Sequence, residues 1–568
     1  MGSTSETWQS KAAAKRAAIL ASIPEEWRLS PVQLKKADGV RNITGPFIQQ
    51  FLNEDEVSII TLDSVPIVEA IKSGKLSAVQ VARAFCKAAA IAHQINPCVL
   101  EFFPDVALAR AKELDDYQQR HGRTMGPLHG LPVSLKDQFH VKGVDTTMGY
   151  VGWIGGNCGV FDDSQVHKIE SQITKEFLSV GAVLYCKTSL PQTVFFGETD
   201  NHILGTTYNP SNRNLSCGGS SGGEATLHAL RASTLGVGTD IGGSVRIPAG
   251  FCGTFSLKPT PERLSYRDCA NTAPGQYTCR STVGVMGTSL DGVDLGFKAL
   301  LSTKPWTRDP AVVPIPYRQD LYDAYSSRAS DDGAKPLKIG IFWNDGNVEP
   351  HPPVRRGLKL LADAVKNAGH KLVDWNPPPH KEGCEYHRRM LLADGLHDIH
   401  QQLARSGEPL IPGIAQELKQ RDPIPLLETH DLTLKLLAYE CKYSDYWNST
   451  ADEDGQIVDA VIMPIAPHAA VIPGKYYHRA DYTRIINALN YCAAVMPVTK
   501  ADKSVDTVDD SYRPRNALDK DNWDAYDPGI YDGAPVAVQI VARKFEEEKV
   551  LAITKAIYAA LLKEKDGD

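Results

Sequence analysis

The chain has 568 residues, of which 42% are hydrophobic and 23% are charged, and this is the composition of an ordinary globular protein. Its formal net charge of −7 excludes the basic surface that binding to nucleic acid or to an anionic membrane would use. The eleven cysteines show no spacing typical of a metal site, which indicates a cytoplasmic protein with free thiols. No apolar run approaches the ~18 residues that a membrane span needs, so no transmembrane segment is expected.

The first 60 residues are predicted to form an N-terminal helical arm that packs on the body of the protein. The stretch up to residue 20 becomes basic and rich in alanine, and it lacks the apolar core of a signal peptide. Trp27 then offers an apolar surface that would fix the arm to the body. Ser64 and Ser77 are predicted to cap the next two helices at their N-termini, the second spanning about residues 78–93.

Seven short apolar runs are predicted to be strands, with helical stretches between the earlier ones. In chain order they occupy residues 131–136, 180–187, 234–238, 255–258, 337–343, 460–464 and 536–541. A further helix is expected from residue 546 to about residue 563. This order of elements predicts an α/β fold, a single large α/β/α sandwich around a mixed, largely parallel β-sheet.

Residues 218–248 contain two glycine-flanked serine sites, at 218–223 and 242–244, on either side of a predicted helix and strand. The spacing fits neither a phosphate-binding loop nor a dinucleotide fingerprint, because the required lysine and third glycine are absent. The third interpretation of these two sites is that one of them holds a serine nucleophile. Ser220 fits the Gly-x-Ser-x-Gly elbow of hydrolases, while glycines before Ser244 could turn backbone amides toward an attacked carbonyl. The residues alone leave these two alternatives open.

Three segments together resemble the amidase signature family of serine hydrolases. They are residues 218–260, residues 130–137, which read GLPVSLKD, and residues 187–192, which read KTSLPQ. The similarity extends from about residue 61 to residue 543 and is greatest to eukaryotic members, especially fungal acetamidase-type enzymes. The resemblance therefore implies the amidase signature fold and cleavage of an amide.

The resemblance also implies a role for each site residue. Ser244 takes the position of the nucleophile, Ser220 that of a bridging serine preceded by a cis peptide, and Lys136 that of the general base. Lysine acts as a base only when neutral, so burial has to lower a pKa that is ordinarily ~10.4. The resemblance further implies an oxyanion hole formed by the backbone amides of Ile241, Gly242, Gly243 and Ser244. It also implies a supporting ion pair between Asp240 and Arg246.

The body is expected to be one amidase signature domain over residues 61–568, with its core motif at 127–262. Between about residues 271 and 451 the sequence is less regular and rich in His, Tyr, Trp and Pro. We expect this variable region to form the substrate pocket, because loops that select substrates sit on a fixed scaffold.

Four residues of that region, His387, Asp394, His397 and His400, raise the question of a metal site. His397 and His400 could share a helix face, but nothing else clusters to complete a ligand set. We interpret them as solvated helix residues. No metal and no cofactor are expected.

The predicted function is hydrolysis of a carboxamide C–N bond to a carboxylic acid plus ammonia or an amine. The alternatives are a biosynthetic acyl transferase that passes the acyl group to an amine, an amidase subunit working with a tRNA-binding partner, and a catalytically silent binding protein. The last is disfavoured because Lys136, Ser220 and Ser244 are all present. The expected partner is a small-molecule amide, without nucleic acid, and the prediction allows for a homodimer.

Overall fold

The structure, a computed structural model, describes residues 7–156, 166–330, 335–477 and 479–567. The first six residues of the predicted arm, and residues 331–334 of the predicted pocket-forming region, lie outside the described residues.

Thirteen strands lie in the described part of the chain. They are β1 (Val99–Phe102), β2 (Pro132–Lys136), β3 (Val183–Thr188), β4 (Asp200–Asn201), β5 (Gly205–Thr206), β6 (Leu235–Asp240), β7 (Phe255–Lys258), β8 (Thr282–Gly287), β9 (Lys338–Ile341), β10 (Lys371–Asp374), β11 (Ala460–Pro464), β12 (Cys492–Lys500) and β13 (Pro535–Ala542). β4 and β5 form a two-stranded sheet. The other eleven form one sheet in the order β1-β3-β2-β6-β8-β7-β12-β13-β11-β9-β10.

Neighbouring strands of the large sheet pair in both directions. β2 is parallel to β3 and β6, and β9 is parallel to β11 and β10. The other six neighbouring pairs are antiparallel and include the whole run from β6 to β11. The predicted α/β fold around a mixed sheet is confirmed, but the expected parallel majority is not found: the four parallel pairs lie in two separate groups and are outnumbered by the six antiparallel pairs. Strands from both halves of the chain meet at β7 and β12.

Twenty α-helices lie in the same residues. They are α1 (Trp8–Ala21), α2 (Pro31–Asp38), α3 (Pro46–Gln49), α4 (Glu54–Ile60), α5 (Ser64–Lys72), α6 (Ala78–Ile95), α7 (Pro104–His121), α8 (Gln172–Ser179), α9 (Gly222–Ala229), α10 (Arg246–Cys252), α11 (Leu290–Ser302), α12 (Gln319–Ser330), α13 (Pro352–Asn367), α14 (His380–Leu391), α15 (His397–Ala404), α16 (Leu426–Ser449), α17 (Asp481–Ala488), α18 (Ala517–Asp524), α19 (Pro528–Tyr531) and α20 (Glu547–Gly567).

All seven predicted strands are present, as β2, β3, β6, β7, β9, β11 and β13, and α20 follows the last of them as expected. Ser77 caps α6 as predicted, in a capping box with Gln80. The prediction for Ser64 is wrong. Asp63 occupies the cap of α5, and the Ser64 hydroxyl instead donates to the backbone oxygen of Thr234, at 3.2 Å.

The large sheet lies between two hydrophobic cores. Along β11, Ala460 and Ile462 belong to one core, and Val461 and Met463 belong to the other. Successive residues of a strand point to opposite faces, so helices cover both faces of the sheet. The first core contains residues of α5, α6, α7, α11, α13 and α20, and the second contains residues of α14, α15, α16 and α17.

The N-terminal segment lies against the body through polar and apolar contacts. Lys15 on α1 forms ion pairs with Glu101 and, at 3.1 Å, with Asp145. Trp27 is buried in the first core. Within the described ranges, no helix combines the length and the apolar character that crossing a membrane requires.

Candidate active site

Lys136 is the last residue of β2, a strand whose successive side chains point to opposite faces of the sheet. Val133 and Leu135 point into the first core, so Ser134 and Lys136 point to the opposite face. The Lys136 side chain is fully buried there. Its Nζ donates hydrogen bonds to Ser220 Oγ at 2.7 Å and to Thr239 Oγ1 at 2.8 Å. The structure thus brings two of the predicted catalytic residues into direct contact.

The surroundings of Lys136 favour its neutral form. Burial lowers the pKa of Lys136 to about 7, although the charges of Asp240 and Glu224 act in the opposite direction. No carboxylate oxygen accepts a hydrogen bond from its Nζ among the described residues, since both acceptors are hydroxyls. Near neutral pH a substantial fraction of Lys136 can therefore accept a proton.

Ser220 is held by a closely packed loop at the start of α9. A Cβ on Gly219 would lie 2.5 Å from the backbone oxygen of Glu198, so only glycine fits. The peptide bond between Gly219 and Ser220 is cis. The next amide, of Ser221, donates to the backbone oxygen of Ser244 at 3.0 Å. This bond ties the two glycine-flanked serine loops together.

The second serine loop, between β6 and α10, is organised by a buried carboxylate. Asp240 accepts hydrogen bonds from the amides of Gly243, at 2.9 Å, and Val245, at 3.1 Å. It also forms a two-pronged pair with Arg246, with both N···O distances at 3.0 Å. Burial acts to raise the pKa of Asp240, but the Arg246 guanidinium holds that pKa well below its usual range. The pair therefore stays ionised and fixes the loop.

Residues from the C-terminal third complete this arrangement. Arg246 also donates to Gln539 Oε1 at 2.8 Å and to Asn487 Oδ1 at 2.6 Å. Asn487 returns a hydrogen bond to Asp240 at 2.8 Å. Thr483, on the same helix α17, donates to the backbone oxygen of Gly242 at 2.7 Å. Side chains of α17 and β13 therefore support the serine loop.

The four amides expected to form the oxyanion hole are not equivalent. That of Gly243 is already engaged by Asp240. Those of Ile241, Gly242 and Ser244 find no acceptor in the described residues. Three of the four amides therefore have no hydrogen-bond acceptor within the part of the chain that the structure describes.

Ser244 opens onto a cavity of about 490 Å³. Its side chain is partly exposed there, and Gly219, Ile241 and Gly242 lie in the same wall. Phe195 contributes apolar surface near the serine. The remaining wall comes mainly from α14 and from residues in and just before α17. The cavity thus uses part of the region expected at 271–451, together with segments on both sides of it.

Sequence reasoning left Gln138, Thr239 and Phe195 out of the site. Thr239 Oγ1 donates to Gln138 Oε1 at 2.5 Å while accepting from Lys136. Gln138 and Thr239 each lie within three positions of a predicted site residue, and this proximity is the signal that could have identified them.

The four residues considered for a metal site do not converge. The interpretation of His387 as a solvated residue is wrong, because it is buried on α14. His400 contacts the backbone oxygen of Leu418 at 2.9 Å, and His397 contacts Gln401. Over the described ranges, no group of three or more His, Cys, Asp or Glu side chains is arranged to hold a metal ion.

Comparison with known proteins identifies relatives over nearly the whole chain. The model of the family described as Amidase matches residues 80–551. The acetamidase of Emericella nidulans is 40% identical over 553 residues, covering 97% of this chain and 98% of its own length. The acetamidase of Aspergillus oryzae is 39% identical over 554 residues, with the same coverage. A solved structure of fatty acid amide hydrolase superposes with a TM-score of 0.88 at 30% identity, covering 98% of this chain and 95% of that one.

Proposed function

Because this chain belongs to the amidase family, we propose that it hydrolyses a carboxamide through an acyl-enzyme on Ser244, with Ser220 as proton relay and neutral Lys136 as general base. The products are a carboxylic acid and ammonia or an amine. The observation that carries this proposal is the buried 2.7 Å hydrogen bond from Lys136 to Ser220, beside a serine that opens onto a cavity.

In the first half-reaction the hydroxyl of Ser244 attacks the amide carbonyl. Ser220 takes the proton of Ser244 and passes its own to Lys136, because a hydroxyl can accept one hydrogen bond while donating another. Thr239 also accepts from Lys136 Nζ and keeps the amine directed into the site. A lysine whose pKa is about 7 suits this task, since a general base works best near the operating pH.

Negative charge then develops on the carbonyl oxygen. We assign its stabilisation to the amides of Ile241, Gly242 and Ser244, since Asp240 already engages that of Gly243. The Asp240–Arg246 pair and Thr483 hold these donors in place before the substrate arrives. In this proposal the Gly243 amide anchors the loop.

Collapse of the tetrahedral intermediate requires a proton on the leaving nitrogen. Lys136 returns its proton through Ser220, so ammonia or an amine departs and Ser244 carries the acyl group. Water then adds by the same relay and releases the carboxylic acid. No cofactor is needed for either step.

We further propose a small-molecule substrate and a cytoplasmic location. The acetamidase relatives point to simple amides, while a cavity of about 490 Å³ leaves room for a longer acyl chain. Ten cysteines lie in the described residues and form no disulfide with one another, which supports a reducing compartment.

The test is the intact mass of the protein after reaction with a fluorophosphonate. We expect one adduct on wild type, none on Ser244→Ala, and slowed labelling of Ser220→Ala and Lys136→Ala. Ser221→Ala is the matched control, because the Ser221 hydroxyl has no hydrogen-bond partner in the described residues, and it should label normally.

Labelling that survives in Ser244→Ala and is lost in Ser220→Ala would move the nucleophile to Ser220. No adduct on folded wild type would contradict a serine mechanism altogether. Product analysis with and without an added amine separates hydrolysis from acyl transfer.

A further inference from the structure

Arg484 is an arginine of the cavity wall whose Nε is buried and has no hydrogen-bond partner among the described residues. It lies on α17, one position after Thr483, whose hydroxyl is bonded to the Gly242 oxygen. Its side chain lines the same cavity as Ser244. The helix that supports the serine loop therefore also contributes a guanidinium to the wall of the cavity onto which Ser244 opens.

The donors of Arg484 have no acceptor within the described residues. A guanidinium carries five N–H donors, and its Nε is here a buried atom without a hydrogen-bond partner. The nearest carboxylate is that of Asp481, one turn earlier, at 4.0 Å. Buried polar atoms are nearly always hydrogen-bonded in native proteins. Arg246 shows the contrast, since its Nε and both terminal nitrogens are all bonded.

The two other arginines of the cavity have acidic neighbours, and Lys381 is exposed to solvent. Arg388 donates to Glu385 at distances of 3.3 to 3.4 Å, and Arg479 lies 3.6 Å from Asp521. The lysine, arginine, aspartate and glutamate side chains of the wall comprise four bases and three acids, namely Lys381, Arg388, Arg479, Arg484, Glu385, Glu417 and Asp481. The position of Arg484 also costs helix stability, because a cation in the first turn of α17 faces the positive end of the helix dipole.

We propose that Arg484 binds a carboxylate carried by the substrate, so that the enzyme acts on amides with an acidic group at the far end of the acyl chain, such as monoamides of dicarboxylic acids. A guanidinium matches a carboxylate with two parallel hydrogen bonds, and these are stronger than neutral ones. This inference rests on the proposed function, because it assumes that an amide is attacked by Ser244.

The experiment compares kcat/KM for the monoamide of succinic acid with that for isocaproamide, in which an isopropyl group replaces the carboxylate. The monoamides of glutaric and adipic acid are each compared with the amide in which an isopropyl group replaces the carboxylate. These pairs test how far the carboxylate must lie from the amide to reach Arg484. For the chain length that fits, wild type should prefer the carboxylate by roughly tenfold to hundredfold, the range of a hydrogen bond to a charged group. Arg484→Gln should bring this ratio close to one while retaining activity on isocaproamide.

Arg389→Gln is the control for loss of a positive charge nearby. Arg389 lies on α14, pairs with Glu428 and is not part of the cavity wall, so its removal should leave the ratio intact. Arg484→Lys should keep part of the preference for the carboxylate, since lysine supplies the positive charge without the two parallel N–H donors of the guanidinium. If Arg484→Gln does not fold, the inference is tested by the kcat/KM ratios of wild type and of Arg484→Lys.

Two results would overturn the inference and leave amide hydrolysis standing. One is hydrolysis of neutral amides by wild type without a carboxylate preference at any chain length. The other is a preference that Arg484→Gln or Arg484→Lys leaves unchanged. Absence of both hydrolysis and fluorophosphonate labelling in wild type would refute the proposed function itself.

Discussion

Replacing Lys136 by methionine should abolish hydrolysis and yet stabilise the folded protein near neutral pH. Lys136 is fully buried and its pKa is lowered to about 7, whereas in the unfolded chain the pKa returns to ~10.4. Between these values the unfolded state binds more protons than the folded state. Wild-type stability therefore rises with pH across that window, and below it Lys136 is protonated in both states and the full cost of burying its charge is present.

The size of the effect follows from the two pKa values. The cost to wild type is roughly 4 kcal/mol at pH 7 and roughly 2 kcal/mol at pH 9. Methionine removes this cost but also loses the hydrogen bonds to Ser220 and Thr239, worth about 1 kcal/mol each at any pH. We therefore expect Lys136→Met to be more stable than wild type by about 2 kcal/mol at pH 7 and nearly equal to it at pH 9.

Denaturant unfolding of both proteins at pH 7 and pH 9 measures this difference. Lys75→Met, which removes an exposed lysine, is the control and should show no comparable dependence on pH. A stability difference between Lys136→Met and wild type that is equal at the two pH values, or larger at pH 9, would refute the reasoning. It would mean that Lys136 is protonated in the folded protein.

Two further predictions concern the same loop and base. The kcat/KM of wild type should rise with pH and reach half its plateau near pH 7, because the lysine base works only when neutral; a profile that falls across neutral pH would contradict this. Gly243→Ala should lower the melting temperature by several degrees, since Gly243 has φ of 127° and an added methyl would overlap the Thr483 hydroxyl. Gly242→Ala is the control, with no atom within 4 Å of the added carbon, and equal melting temperatures for the two variants would count against the packing argument.

The sequence predicted those features that local pattern determines. The apolar run ending in Lys136 reads as a buried strand, and the glycines around Ser220 and Ser244 mark loops of close backbone approach. Their roles needed the family resemblance, since nothing in the run itself separates a buried basic lysine from one at a solvated strand end.

The remaining parts depend on contacts between distant segments. β8 is a central strand between β6 and β7, but it lies in a stretch without regular pattern, so only its pairing partners reveal it. The supports of the serine loop, Thr483, Asn487 and Gln539, lie more than 200 positions further along the chain. No local signal connects them to the serine. For the same reason the cavity wall extends beyond the region expected at 271–451.

The dependence of the serine loop on Gln539 and Asn487 also determines when activity can arise during synthesis. A nascent chain that has passed Ser244 still lacks the acceptors that hold Arg246 against Asp240, and it lacks β13, which fills the place between β12 and β11. In the proposed mechanism the nucleophile Ser244 is therefore synthesised in the first half of translation, and we expect its loop to be fully supported only when β13 joins the sheet. We therefore expect growing chains on the ribosome to lack activity toward amides.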